Sequence, residues 1–166
     1  MSRYLFVIDY QKDFVDGALG FPGAEKLDGK IAEKVIAYGK GKFLFTRDTH
    51  FENYLETPEG KKLPVPHCIK GTKGWEIADG LYVEGCKIID KPNFGWPHWD
   101  EESLEAVELV GLCTDICVVS NALIIKAMHP DAAVTVDRSC CAGVTVASHE
   151  AALNTMAMCQ IEIIGG

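Results

Sequence analysis

Short apolar runs alternate along this chain with segments whose apolar residues recur at helical spacing. Residues 4–8 form a continuous apolar run, the mark of a strand buried on both faces, and residues 24–38 follow with Leu27, Ile31, Val35 and Ile36 at helical intervals. Lys42-Phe43-Leu44-Phe45-Thr46 repeats the buried-strand pattern after Gly39 and Gly41, which suit a helix stop, and runs directly into the polar Arg47-Asp48-Thr49-His50. Residues 86–91 and 106–112 read as the third and fourth strands, with only residues 100–105 left to form an unusually short crossover helix. Residues 115–128 read as a helix, 133–136 as a fifth strand, 146–158 as a helix and 161–164 as a last strand. Unbroken apolar strands alternating with helices predict an α/β fold. The expected form is a three-layer α/β/α arrangement around a mainly parallel six-stranded sheet.

Residues 51–80 break this rhythm, being rich in Pro, Gly and Lys with little periodicity. A long excursion in a compact domain is usually functional, so it is expected to wall an active site. No repeat, linker or composition shift divides the chain, and residues 1–166 are expected to form a single domain.

Charge narrows the partners. A formal net charge of -8 without Lys/Arg clusters argues against nucleic acid and anionic membrane surfaces and for a small molecule. The N-terminal apolar run is too short for a signal sequence, and no run approaches the roughly 20 residues of a membrane span, so a soluble, cytoplasmic protein is expected. In that compartment Cys68, Cys86, Cys113, Cys117, Cys140, Cys141 and Cys159 should be free thiols. Their spacing lacks the paired clusters of a structural zinc site. The acidic, apolar-rich chain is compatible with a homo-oligomer.

Open parallel sheets bind ligands at the carboxyl ends of their strands. Reactive groups fall there repeatedly: Asp9 after the first strand, Asp48 and His50 after the second, Lys91 after the third and Cys117 just beyond the fourth. Cys117 sits where a buried strand turns into a helix, so the helix dipole and a nearby ammonium would favour its thiolate, and a carboxylate could accept the thiol proton. Singly, each residue has an ordinary alternative: Cys117 as a buried inert thiol, Asp9 as a cap, Lys91 as a solvated cation. Their common placement favours chemistry.

The stretches Val7-Ile8-Asp9-Tyr10-Gln11-Lys12-Asp13-Phe14, Thr46-Arg47-Asp48-Thr49-His50, His67-Cys68-Ile69-Lys70-Gly71-Thr72, Asp90-Lys91 and Gly111-Leu112-Cys113-Thr114-Asp115-Ile116-Cys117-Val118 resemble the isochorismatase-like cysteine hydrolases, which include nicotinamidases. The likeness runs over nearly the whole chain. It implies a Rossmann-like fold and a catalytic triad of Asp9, Lys91 and Cys117. It also implies a cis peptide just before Cys113 and an oxyanion hole built from the backbone N–H groups of Cys113 and Cys117. Phe14 matches an aromatic that packs on the substrate ring, although a core role suits it equally.

Asp48 and His50 are one residue apart at an extended strand end, so both side chains can reach one ion. With His67, in the turn Pro66-His67-Cys68, and Glu56, they form an oxygen and nitrogen set suited to a divalent metal: zinc, with iron or manganese as alternatives. The resemblance supports Asp48, His50 and His67 and leaves Glu56 the least secure, since an exposed loop carboxylate is its plain alternative. Pro64 stands where nicotinamidases usually carry a Trp, so Trp96 or Trp99 is expected to supply that wall. His98 is expected at a pocket rim, His129 at a surface helix end, and Asp137 and His149 in structural roles.

The expected reaction is metal-dependent hydrolysis of a small carboxamide, nicotinamide to nicotinate and ammonia, through a thioester on Cys117. Alternatives are a carbamoyl or ureido substrate with the same chemistry, a non-catalytic metabolite-binding member, and a thiol redox protein. The last lacks a Cys-x-x-Cys motif.

Overall fold

The structure, a computed structural model, describes residues 3–101 and 103–166. Its centre is a six-stranded sheet of β1 (Arg3–Ile8), β2 (Phe43–Asp48), β3 (Lys87–Lys91), β4 (Ala106–Leu112), β5 (Ala133–Ala142) and β6 (Glu162–Ile164). The strand order is β3-β2-β1-β4-β5-β6 and every pairing is parallel, so the order reverses between β1 and β4. The carboxyl ends of the two central strands at such a switch point are the usual ligand position in sheets of this kind.

Two apolar layers cover the faces. Phe6 and Ile8 of β1 and Val107 and Leu109 of β4 pack with α4 (Val119–Met128) and α5 (Val146–Met158) through Ala122, Ile125, Leu153 and Met156. The alternate residues Leu5, Val7, Val110 and Leu112 face Ile31 and Val35 of α2 (Asp28–Tyr38) and Phe14 and Val15 of α1 (Lys12–Val15). Alternation of the strand side chains thus fills both layers from residues that read in sequence as single apolar runs. At the switch point β4 runs so close to β1 that a Cβ on Gly111 would lie 2.1 Å from the Ile8 carbonyl oxygen, and its φ is +117°. Only glycine fits there.

Three elements differ from the sequence expectation. No crossover helix joins β3 to β4 among the described residues, only a 3₁₀ turn at Trp99–Glu101; Glu102 lies outside them. The fully buried Trp99 covers the sheet instead, stacked on Phe6 with ring centroids 4.7 Å apart. β5 continues past Val136 to Ala142 because a bulge lets it resume pairing: Leu109 faces Val136, but Gly111 faces Cys141. The turn Thr114–Val118 is π-helical, with Val118 N–H donating to the Cys113 carbonyl at 3.0 Å, so α4 begins at Val119. Within the excursion after β2, Thr57 caps α3 (Pro58–Lys62) by accepting the Gly60 N–H.

One buried ionic cluster fixes α2 to the sheet. Lys34 Nζ lies 2.5 Å from Glu108 of β4 and 2.8 Å from Asp137 of β5, and Tyr38 donates to Glu108 at 2.6 Å. Asp137 therefore has the structural place expected of it. No helix among the described residues is long and apolar enough to cross a membrane.

Candidate active site and metal centre

The end of β1 places Asp9, fully buried and with φ +43°. This left-handed conformation, uncommon outside glycine but tolerated by Asp, is held by Thr46 of the neighbouring strand. The Asp9 N–H donates to Thr46 Oγ1 at 3.1 Å, and that hydroxyl donates to Asp9 Oδ1 at 2.6 Å. Lys91, also fully buried at the end of β3, puts Nζ 2.5 Å from Asp9 Oδ2 and donates to the Asn93 carbonyl at 3.0 Å. Burial works to lower the Lys91 pKa, but Asp9, Cys117 and Asp48 outweigh it and raise the value, so the ammonium is kept charged. Burial raises the Asp9 pKa against the opposing pull of Lys91.

Cys117 lies in the π-helical turn after β4, buried and close enough to Asp9 and Lys91 for their charges to act on its thiol. Burial, then the Asp9 charge, push its thiol well above the ordinary value, and Lys91 only partly opposes them. Complete desolvation and the adjacent carboxylate outweigh the ammonium, which favours the thiol over the thiolate. The peptide Leu112–Cys113 is cis, as the resemblance implies.

Asn121, a fully buried polar residue on α4, ties this turn to the loop after β3. Its Nδ2 donates to the carbonyls of Cys117 at 2.8 Å and Phe94 at 3.0 Å, and its Oδ1 accepts from Trp96 N–H and Trp99 Nε1. Gln11 does the same between β1 and β2. Its Nε2 donates to the carbonyls of Asp48 and Trp75, and its Oε1 accepts the Asp48 N–H at 2.8 Å. Neither role was assigned from sequence, although an Asn among the apolar positions of α4 and a Gln directly after the first strand were the available signals.

Beside these three residues, Asp48, His50, Glu59 and His67 each offer a ligand atom within 4.8 Å of all the others. Asp48 Oδ2 is 2.9 Å from His50 Nε2 and 3.5 Å from His67 Nε2, and Glu59 Oε1 is 3.7 Å from both. His50 and His67 come together because residues 50 and 69 bridge: His50 N–H donates to the Cys68 carbonyl, and Lys70 N–H to that of His50. Asp13 holds the turn by accepting the N–H of Cys68, itself at φ +47°.

The donor chemistry fits a divalent ion. His67 Nδ1–H can donate to the Val65 carbonyl at 2.7 Å, which leaves the Nε2 lone pair facing the cluster. Asp48 Oδ1 is buried without a hydrogen-bond partner. Burial would raise the Asp48 pKa, yet bonds from His50 and His67 and the Lys91 charge bring it well below the usual carboxylate range. Two imidazoles and two carboxylates suit zinc, iron or manganese.

Glu56 does not join the cluster. It ends the 3₁₀ turn Tyr54–Glu56 and is exposed, whereas Glu59, one turn later and inside α3, faces the histidines. Glu59→Gln is expected to weaken zinc binding at least about tenfold, on the scale known for disturbed metal shells. Glu56→Gln should leave the affinity unchanged, and calorimetric zinc titration of both variants checks the assignment.

A cleft of about 510 Å³ opens over this centre, lined by His50, Glu59, Lys62, Leu63, Phe94 and Ile116 among others. Phe14 is buried with its ring 5.5 Å from that of His67, beside the cluster. Trp99 belongs to the core and cannot replace the aromatic absent at Pro64; Trp96 packs against the same core and on the exposed His98. Leu63, Phe94 and Ile116 supply the apolar wall instead. His129 is half-buried, its Nε2 2.8 Å from the Trp99 carbonyl oxygen.

Comparison with known proteins agrees with this architecture. Residues 3–165 match the isochorismatase domain, and the chain belongs to the isochorismatase family. Within it the chain is nicotinamidase-like. It is 31% identical to an isochorismatase family protein of Bacillus subtilis over 74% of this chain and 78% of that one. It is 25% identical to the nicotinamidase/pyrazinamidase of Mycobacterium tuberculosis over 98% of each. Among solved structures, the pyrazinamidase of Pyrococcus horikoshii in complex with zinc superposes with a TM-score of 0.85 at 28% identity, over 100% of both chains.

Proposed function

We propose that this chain is a metal-dependent hydrolase of amide C–N bonds that converts nicotinamide, or a closely similar small carboxamide, to the carboxylic acid and ammonia through a thioester on Cys117. The observation that carries the proposal is the juxtaposition, at one sheet switch point, of a buried thiol, a lysine-paired carboxylate and a four-residue cluster of nitrogen and oxygen donors. The nicotinamidase and pyrazinamidase activities named for its relatives support it.

As sulfur attacks the amide carbonyl, the Cys117 proton passes to Asp9, whose raised pKa suits a group that must both take and return it. The backbone N–H groups of Cys113 and Cys117 receive the developing oxyanion. Ammonia leaves with the proton held by Asp9; Asp9 then draws a proton from the water that attacks the thioester and returns it to the Cys117 sulfur as the C–S bond breaks and the acid leaves. Lys91 holds Asp9 ionised between these steps. Asp48, His50, Glu59 and His67 would hold a divalent ion, which when bound supplies a Lewis-acid anchor for the substrate's ring nitrogen or a water on it. Phe14, with its ring 5.5 Å from that of His67, would pack against the substrate ring.

Ammonia release from a carboxamide panel, before and after chelation, tests the proposal. Turnover of nicotinamide is expected, lost on chelation and restored by zinc, iron or manganese. Turnover indifferent to chelation would remove the metal from the account. The apolar wall of Leu63, Phe94 and Ile116 in place of an aromatic at position 64 favours including carbamoyl and ureido compounds in the panel.

A further inference from the structure

The turn that presents Cys117 is gripped from outside by the start of α5, which contributes nothing to the triad or the metal cluster. Two consecutive side chains of the turn are held. Thr114, fully buried, places Oγ1 2.8 Å from His149 Nδ1. Asp115 Oδ2 accepts the Ser148 hydroxyl at 2.5 Å and the Val144 N–H at 3.1 Å. Ser148 also belongs to the capping box of α5, accepting the Thr145 N–H at 3.2 Å while its own N–H donates to Thr145 Oγ1. The close approach is built into the backbone: a Cβ on Gly143 would fall 2.8 Å from that of His149.

A π-helical turn is a short irregular geometry, frequent at functional sites, that needs support from its surroundings. Here its inward side carries Cys117, with a carbonyl held by Asn121, and its outward side is held by α5. We infer that His149 and Ser148 are positioning residues for the hydrolysis, latching Thr114 and Asp115 so that the Cys117 sulfur stays aligned with Asp9. This inference rests on Cys117 being the nucleophile. Displacement of a reacting atom by about an ångström costs up to roughly a hundredfold in rate even when the altered residue is remote from the chemistry.

The test combines kinetics with backbone amide exchange in a double-mutant cycle. Thr114→Val removes the hydroxyl at nearly constant shape, and His149→Leu removes its partner. Each is expected to lower kcat roughly ten- to a hundredfold with KM little changed. The double variant should be no worse than the poorer single one, because both remove the same interaction. His149→Asn, which restores a polar atom near the Nδ1 position, should recover most of the rate. Amide exchange across residues 114–118 should quicken in both single variants while the central strands remain protected.

Unchanged exchange in the turn, additive losses, or a lowered melting temperature with kcat intact would each overturn the positioning role. If the parent protein hydrolyses no amide yet exchange in the turn responds as expected, the proposed function fails and the positioning role falls with it, leaving only a structural latch on the turn. If the parent is active and neither exchange nor kcat responds, the latch fails and the proposed function stands.

Discussion

Asp9→Asn is expected to lower kcat about a thousandfold, within the range that a positioned general base contributes. The amide preserves shape and can still meet Thr46, whose hydroxyl now bonds the carboxylate at 2.6 Å, so the fold should survive. What is lost is the acceptor for the Cys117 proton. Desolvation and Asp9 both raise that thiol's pKa, which disfavours its ionisation without a base. The pH profile provides a second reading. In the parent, kcat/KM should fall as pH drops through the Asp9 pKa, which burial places above the ordinary carboxylate value. In the variant that limb should disappear.

Lys91→Met is expected to damage stability as well as rate. The ammonium and the Asp9 carboxylate are both fully buried and 2.5 Å apart. Removing one partner strands the other charge out of water, a loss of about 3–5 kcal/mol. For a domain of this size that is a fall of about 10 °C in melting temperature. Asp9 would then take up a proton more readily and cease to act as a base near neutrality. The double variant Lys91→Met with Asp9→Asn should regain much of the stability and none of the activity, which calorimetry and a turnover assay on the same samples can check.

The elements most legible in the sequence were those whose cause is local. Continuous apolar runs revealed the strands because parallel strands are covered on both sides, and strand-end positions revealed Asp9, Lys91, Cys117, Asp48 and His50 because strand ends converge in such a sheet. Glu59 escaped because α3 has only five residues and no readable period, so nothing in the pattern separated it from Glu56 three residues earlier. Trp99 has the side-chain type of a pocket wall, yet its ring fills the Phe6 face where no crossover helix lies among the described residues. The resting state of Cys117 was not legible either. Its charge depends on complete burial, a property of the packed molecule, rather than on the order of neighbouring residues. Gln11 and Asn121 belong to the same class: each is a buried polar residue whose partners lie on other elements.

The two halves of the site divide the work. In the proposed reaction Asp9, Lys91 and Cys117 would supply base, fixed charge and nucleophile from β1, β3 and the turn after β4, while the donor cluster after β2 would anchor the rest of the substrate. Asp48 joins them physically, since it pairs in register with Lys91 and shares the cluster with both histidines. A change at either half should therefore be felt at the other, through charge as well as through substrate position.

Ammonia release from nicotinamide, measured side by side for the purified parent protein and Cys117→Ala, bears most directly on the account. Steady turnover by the parent and none above background in the variant is the predicted result. Hydrolysis that persists in Cys117→Ala would contradict the thioester at the centre of it.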